Sequence, residues 1–112
     1  MKVKDYLDGD VVTIELSGRI LPCDELTSFH GRIHYYLNLN KKRYVIDLKG
    51  VDWMSSAGLG ALITAYTSVT KAEGKLILTN ITNIQNLLNI TQLVRVFEIR
   101  DSKPEAMEAV KR

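Results

Sequence analysis

Two short apolar runs, Tyr44 to Leu48 and Lys75 to Thr79, restrict what this chain can fold into more than any other feature. Neither alternates cleanly between apolar and polar positions. That is the pattern of a strand covered on both faces, as in the middle of a parallel sheet. Parallel neighbours must be joined by a crossover, usually a helix. The residues between the runs supply one: Leu59, Leu62, Ile63, Tyr66 and Val69 recur at helical spacing from about Ser56 to Ala72. Lys71-Ala72-Glu73-Gly74 then closes the stretch with a charged last turn and a glycine.

The flanking sequence extends this strand-helix-strand unit on both sides. Val12, Ile14 and Leu16 alternate with Val11, Thr13 and Glu15, the period of a strand, and residues 2–7 are placed to pair with it across Asp8-Gly9-Asp10. Gly18 is expected to end that second strand. From Asp24, read as an N-cap, Leu26, Phe29, Ile33 and Leu37 form a helical face. Arg43 to Leu48 reads as the third strand, and Lys49-Gly50-Val51-Asp52-Trp53 as the connection into the helix from Ser56. Ile84, Leu87 and Leu88 predict a helix from about Thr82 to Asn89, and Val96 to Ile99 a last strand. Asp101-Ser102-Lys103-Pro104 opens a closing helix through Val110, with proline where a missing N–H costs little. The order is ββαβαβαβα. It predicts a single α/β domain over residues 1–112, with a mainly parallel mixed sheet, an N-terminal antiparallel hairpin and about four helices.

Composition excludes several function classes. At 112 residues, 46% hydrophobic and 25% charged, there is material for one core. One cysteine, Cys23, cannot form an internal disulfide and fits a reducing compartment. A net charge of +2 argues against direct nucleic-acid binding, and the densest basic cluster, Lys41-Lys42-Arg43, reads as a solvated turn. Met1 to Asp5 lacks the apolar core of a signal peptide. No apolar run approaches the roughly 20 residues that span a bilayer, so a cytoplasmic location without membrane insertion is expected.

Catalytic patterns are poorly represented. His30 and His34 share a helix face but lack the glutamate of HExxH and a third ligand. Gly58-Leu59-Gly60 has neither the third glycine of a dinucleotide fingerprint nor the ending of a P-loop. Ser56 has no nucleophile elbow around it, and Asp47 and Asp52 at a strand end read as turn or capping residues. No catalytic residue, metal or cofactor is therefore assigned.

What stands out is Met54-Ser55-Ser56-Ala57-Gly58-Leu59-Gly60, where strand pattern gives way to helix pattern. A serine here can accept from the unpaired N–H groups of the first turn, or carry a phosphate that the same N–H groups and the helix dipole favour. The residues alone leave both readings open. Trp53 can plug the core or stand on a docking surface. Leu21, Pro22 and Cys23 sit where the topology could bring them beside the serines.

The stretch from Val45 to Leu62, with Asp47-Leu48 and Ser55-Ser56-Ala57-Gly58-Leu59-Gly60 within it, resembles the signature of the STAS domain family, whose best-known members are bacterial anti-sigma factor antagonists. Gly18-Arg19 resembles the family's segment after the second strand, and Leu93 to Ile99 its approach to the last strand, so the likeness covers almost the whole chain. It implies a switch and no enzyme activity. The serine two residues before the first glycine, here Ser56, would be phosphorylated by a partner that is both anti-sigma factor and serine-protein kinase. The unphosphorylated form would bind that partner and free a sigma factor, and a serine phosphatase would restore it. Ser56 would both help satisfy the helix terminus and take the phosphate. The partner-binding surface implied comprises Trp53, Met54, Ser55, Ala57 and Gly58, with Arg19, Leu21 and Asp24. Two positions depart from the family: Ser55 stands where many antagonists have aspartate, and Leu21 where an acid usually follows, Asp24 being the nearest. The resemblance also admits a non-switching STAS scaffold, or a regulatory subunit of a transporter or signalling complex.

Overall fold

The computed structural model describes residues 2–20 and 24–112, without the side chains of Asp24 and Glu25. Strands β1 (Lys2–Asp8) and β2 (Val11–Ile20) pair antiparallel around Gly9, whose φ of 61° suits a tight turn. Strands β3 (Arg43–Met54), β4 (Lys75–Thr79) and β5 (Glu98–Arg100) add in parallel, giving a five-stranded sheet in the order β1-β2-β3-β4-β5. The crossovers are α1 (Asp24–Asn38), α2 (Ser56–Lys71) and α3 (Gln85–Ile90), and α4 (Lys103–Val110) follows β5. The element order is the one read from the pattern.

The absence of alternation in β3 now has a physical cause. Tyr44, Ile46 and Leu48 point into the main core under α1 and α2, with Phe29, Ile33, Leu62 and Val69. Val45 points the other way, into a smaller core with Val11, Ile77, Ala106, Ala109 and Val110 beneath α4. With both faces occupied, no position of the run can be polar without a partner. Asp47 has two: its Oδ1 accepts from the Lys49 N–H and the Asn80 side-chain amide, both at 3.0 Å. Buried Tyr44 donates its hydroxyl to the Lys41 carbonyl at 2.9 Å, and burial, then the neighbouring Tyr36, push its phenol above the ordinary range.

Several boundaries differ from expectation. Lys49 to Trp53 is not a connection: β3 runs on to Met54, and β2 past Gly18 to Ile20. Two register shifts, between Glu15 and Ser17 and between Gly18 and Arg19, break the period-2 pattern that would have marked these residues as strand. Gly50 lies at the first shift, where an added Cβ would come within 2.7 Å of the Ser17 Cβ. Asp24 is the first residue of α1 rather than a residue before it. The predicted helix from Thr82 splits into a 3₁₀ turn (Thr82–Ile84) and α3, and β5 begins at Glu98, leaving Val96 exposed. Ile63, assigned to the buried stripe of α2, is 38% exposed.

Thr79 is fully buried beside Asp47 in the register, and its Oγ1 has no hydrogen-bond partner among the described residues. A buried hydroxyl left unpaired is destabilising, whereas a methyl of the same shape is not. Thr79→Val is expected to raise the unfolding free energy by about 1 kcal/mol. Urea denaturation would show this as a higher midpoint at unchanged slope, and a lower midpoint would mean that the hydroxyl is satisfied.

Candidate functional site

The end of β3 and the start of α2 are joined through a single residue. The Ser55 N–H donates to the Ile20 carbonyl at 2.8 Å, which ties the end of β3 to the end of β2. Ser55 itself is extended, with φ −78° and ψ 170°. Its Oγ accepts from the Gly58 N–H at 3.2 Å and its carbonyl accepts from the Leu59 N–H at 3.0 Å. These are the bonds of an N-cap. Ser55 is therefore the capping serine, and the expectation that Ser56 helps satisfy the helix terminus is corrected. Ser56 is the first residue of α2, exposed, and its hydroxyl makes no hydrogen bond with any described residue.

Beneath this junction the packing is tight. A Cβ at Gly58 would lie 2.6 Å from the Met54 Cγ and 2.7 Å from the Ile20 Cγ2, so the first turn of α2 rests on the strand ends at a separation that only glycine allows. Met54 is 2% exposed and Gly58 is buried as well. Both belong to the partner-binding surface that the resemblance implies; in the structure both are buried at this junction.

The exposed part consists of Ser56 with half-buried Ser55 and Ala57 from the helix start, and Arg19 with Trp53 from the strand ends. Trp53, open to either reading from sequence, is 46% exposed and is not a core plug. Arg19 is its register partner across β2 and β3, and the guanidinium carbon lies 5.3 Å from the centroid of the indole ring. That cation–π contact was not foreseen, because the register shifts that set Arg19 beside Trp53 cannot be read from spacing. Leu21, with Pro22 and Cys23, lies outside the described residues; Asp24 begins α1, its side chain likewise undescribed.

The electrostatics at the helix start favour an added anion. The first turn of α2 contains no acidic residue, and the N–H groups of Ser56 and Ala57 have no intrahelical acceptor. The clefts around Asp10 and Arg43, around Phe97 and Asp101, and around Lys2 and Lys49 are lined without Arg19, Trp53 or Ser56. The Asp47 carboxylate is engaged within the sheet by the Lys49 N–H and the Asn80 amide. His30 and His34 stand on α1, where partial burial, then the neighbouring His34, hold the His30 imidazole below the ordinary histidine range. No group of three or more potential metal ligands occurs among the described residues.

Residues 4–106 match the model of the STAS domain family. No curated protein sequence is significantly similar to the chain. Among solved structures, a Thermotoga maritima protein provisionally designated an anti-sigma factor antagonist superposes with a TM-score of 0.85 at 24% identity, over 98% of this chain and 95% of that one. An anti-sigma factor antagonist from Mycobacterium paratuberculosis gives 0.81 at 20% identity, over 99% and 94% of the two chains. The Bacillus protein SpoIIAA in its phosphorylated form gives 0.76 at 15% identity, over 97% and 99%.

The two serines should separate in stability measurements. Ser55→Ala removes the cap and is expected to cost about 1 kcal/mol, whereas Ser56→Ala should stay within about 0.5 kcal/mol of the parent. Equal losses in chemical denaturation would contradict this division of labour. Gly58→Ala should cost more than either, about 1–3 kcal/mol, because the added methyl overlaps both Ile20 and Met54.

Proposed function

The chain belongs to the STAS domain family, and on that premise we propose that it is an anti-sigma factor antagonist that switches partners through phosphorylation of Ser56. The observation that supports this most is the capping arrangement. Because Ser55 supplies the cap, the Ser56 hydroxyl is exposed and uncommitted at the first position of a helix. It can be esterified without breaking a bond that the fold uses.

In this reading the unphosphorylated protein docks on an anti-sigma factor that is also a serine-protein kinase, and so releases a sigma factor. Docking uses the surface of Arg19, Trp53, Ser55, Ser56 and Ala57. Tryptophan and arginine are among the residue types enriched at the energetic centres of interfaces, and here the two stand exposed side by side. In the kinase site the Ser56 oxygen attacks the terminal phosphorus of ATP, its proton passes to a base of the kinase, and ADP leaves.

The product carries about −1.5 to −2 charges and three acceptor oxygens where the serine was neutral. Two effects then oppose each other. Within the domain the phosphate lies at the positive end of the α2 dipole, so the fold tolerates it. Within the complex the same charge would be buried at the centre of an interface, which costs several kcal/mol when it finds no partner. The interface loses, and the protein is released until a serine phosphatase hydrolyses the ester. The activity is one of binding, in the cytoplasm where sigma factors act, and it needs no cofactor in this chain.

Intact-mass measurement after incubation with a candidate anti-sigma kinase and ATP should show one added phosphate on the wild type and none on Ser56→Ala. The phosphorylated form should bind that kinase at least about 100-fold more weakly, as expected for several kcal/mol. Stable binding with no phosphate transfer from any such kinase would instead favour a non-switching scaffold. Trp53→Ala should weaken docking by about tenfold or more, a hot-spot effect, with little change in the urea midpoint.

A further inference from the structure

We propose that Arg19 is the counter-ion of the Ser56 phosphate, and that its guanidinium leaves the face of Trp53 to pair with the phosphate. The inference rests on the reading of Ser56 as the modified residue and adds the element that senses the modification.

Position is the first argument. Arg19 and Trp53 are register partners, Ile20 and Met54 form the next rung, and the Ile20 carbonyl holds the Ser55 N–H. Arg19 thus stands one residue before the anchor of the α2 N-terminus. The pair requires the long, flexible Arg19 side chain to turn from the indole around the strand end to Ser56.

The second argument is the state of the guanidinium. Arg32 faces Asp5, Arg100 faces Glu98 and Arg112 faces Glu108, whereas Arg43, at the opposite end of β3 from Met54, and Arg95 form no ion pair among the described residues. Arg19 forms no such ion pair among the described residues; its contact there is the indole of Trp53. A cation–π contact at an exposed site is weak, whereas arginine and phosphate form a bidentate, charge-assisted pair whose geometry the guanidinium fork matches. With both available, the phosphate wins. The exchange costs little, because the cation moves from one surface position to another and no core contact is broken.

The consequence is a switch with two components. Phosphorylation adds negative charge at Ser56 and, through Arg19, withdraws a cation from the docking surface and bares the indole. A partner that places a carboxylate over Arg19 in the unphosphorylated complex would lose that contact as well as meeting the new charge. Discrimination between the two forms then has two sources, the phosphate itself and the lost Arg19 contact.

Trp53 is the single tryptophan of the chain and reports the exchange directly. Phosphoserine can be incorporated at position 56 during translation, which makes the test independent of any kinase. The wild type should show a change in tryptophan emission between the serine and phosphoserine forms, together with a downfield shift of the Arg19 Nε–H resonance. In Arg19→Gln, the emission change should fall to less than about a fifth of the wild-type value, because the group that moves is gone. An equal emission change in Arg19→Gln would mean that the phosphate acts on the indole directly, and an unmoved Arg19 resonance in the wild type would mean that no pair forms; either overturns the proposal. If the phosphoserine form behaves as expected but no kinase modifies Ser56, the switching function fails while the Arg19 pair stands.

Discussion

Every feature of the site depends on how closely α2 approaches the ends of β2 and β3. Gly58 sits where a methyl group would overlap Ile20 and Met54, so the helix can begin directly on the sheet. The Ser55 N–H then reaches the Ile20 carbonyl, and the Ser55 hydroxyl reaches back to Gly58. A helix held farther away would break the first bond and lose the tie between its N-terminus and β2. The close approach is thus what joins two separate pieces of chain, the Arg19-Ile20 end and the Met54-Ser55-Ser56 turn, into one surface.

The same closeness assigns different jobs to neighbouring residues that look alike in sequence. Ser55 and Ser56 are chemically identical, but one is extended and turned towards the helix while the other is the first helical residue and faces solvent. Capping and modification would compete if one hydroxyl had to serve both, since a phosphorylated cap could not keep its acceptor geometry without adjustment. Dividing the roles removes the conflict. Trp53 and Met54 divide in a similar way: strand alternation sends Met54 into the core and Trp53 to the surface.

The parts legible from sequence are those governed by a regular period. The stripe of α2 and the alternation of β2 beside the Gly9 turn are repeats that a single chain displays, and the double-sided burial of Tyr44 to Leu48 shows as an apolar run with no alternation. What could not be read depends on breaks in a period. Residues 49–53 lose their strand signature because β3 is shifted in register against β2, and that shift decides which side chain stands opposite Arg19. Nor can spacing distinguish a capping serine from the residue after it, because one peptide unit separates them and the difference is one of backbone angle. The family resemblance pointed to Ser56; the hydrogen bonds explain why Ser56 rather than Ser55 has its hydroxyl available.

Ser55 gains meaning from its departure from the aspartate that many antagonists are expected to carry there. Aspartate and serine cap helices about equally well, so stability does not choose between them. Charge does. Aspartate would keep a negative charge beside the acceptor serine in both states, and a phosphate would be added to a site already anionic. With Ser55, α2 begins without an acidic residue in its first turn, so the phosphate proposed for Ser56 would meet no neighbouring carboxylate on its own helix end. Under the proposed modification the change at Ser56, from neutral to about −2, would be a qualitative one for a docking partner, and no carboxylate at the capping position would draw Arg19 in advance. A neutral cap therefore keeps the nearby cation available, and it leaves the contrast between the two states to be set by the modification.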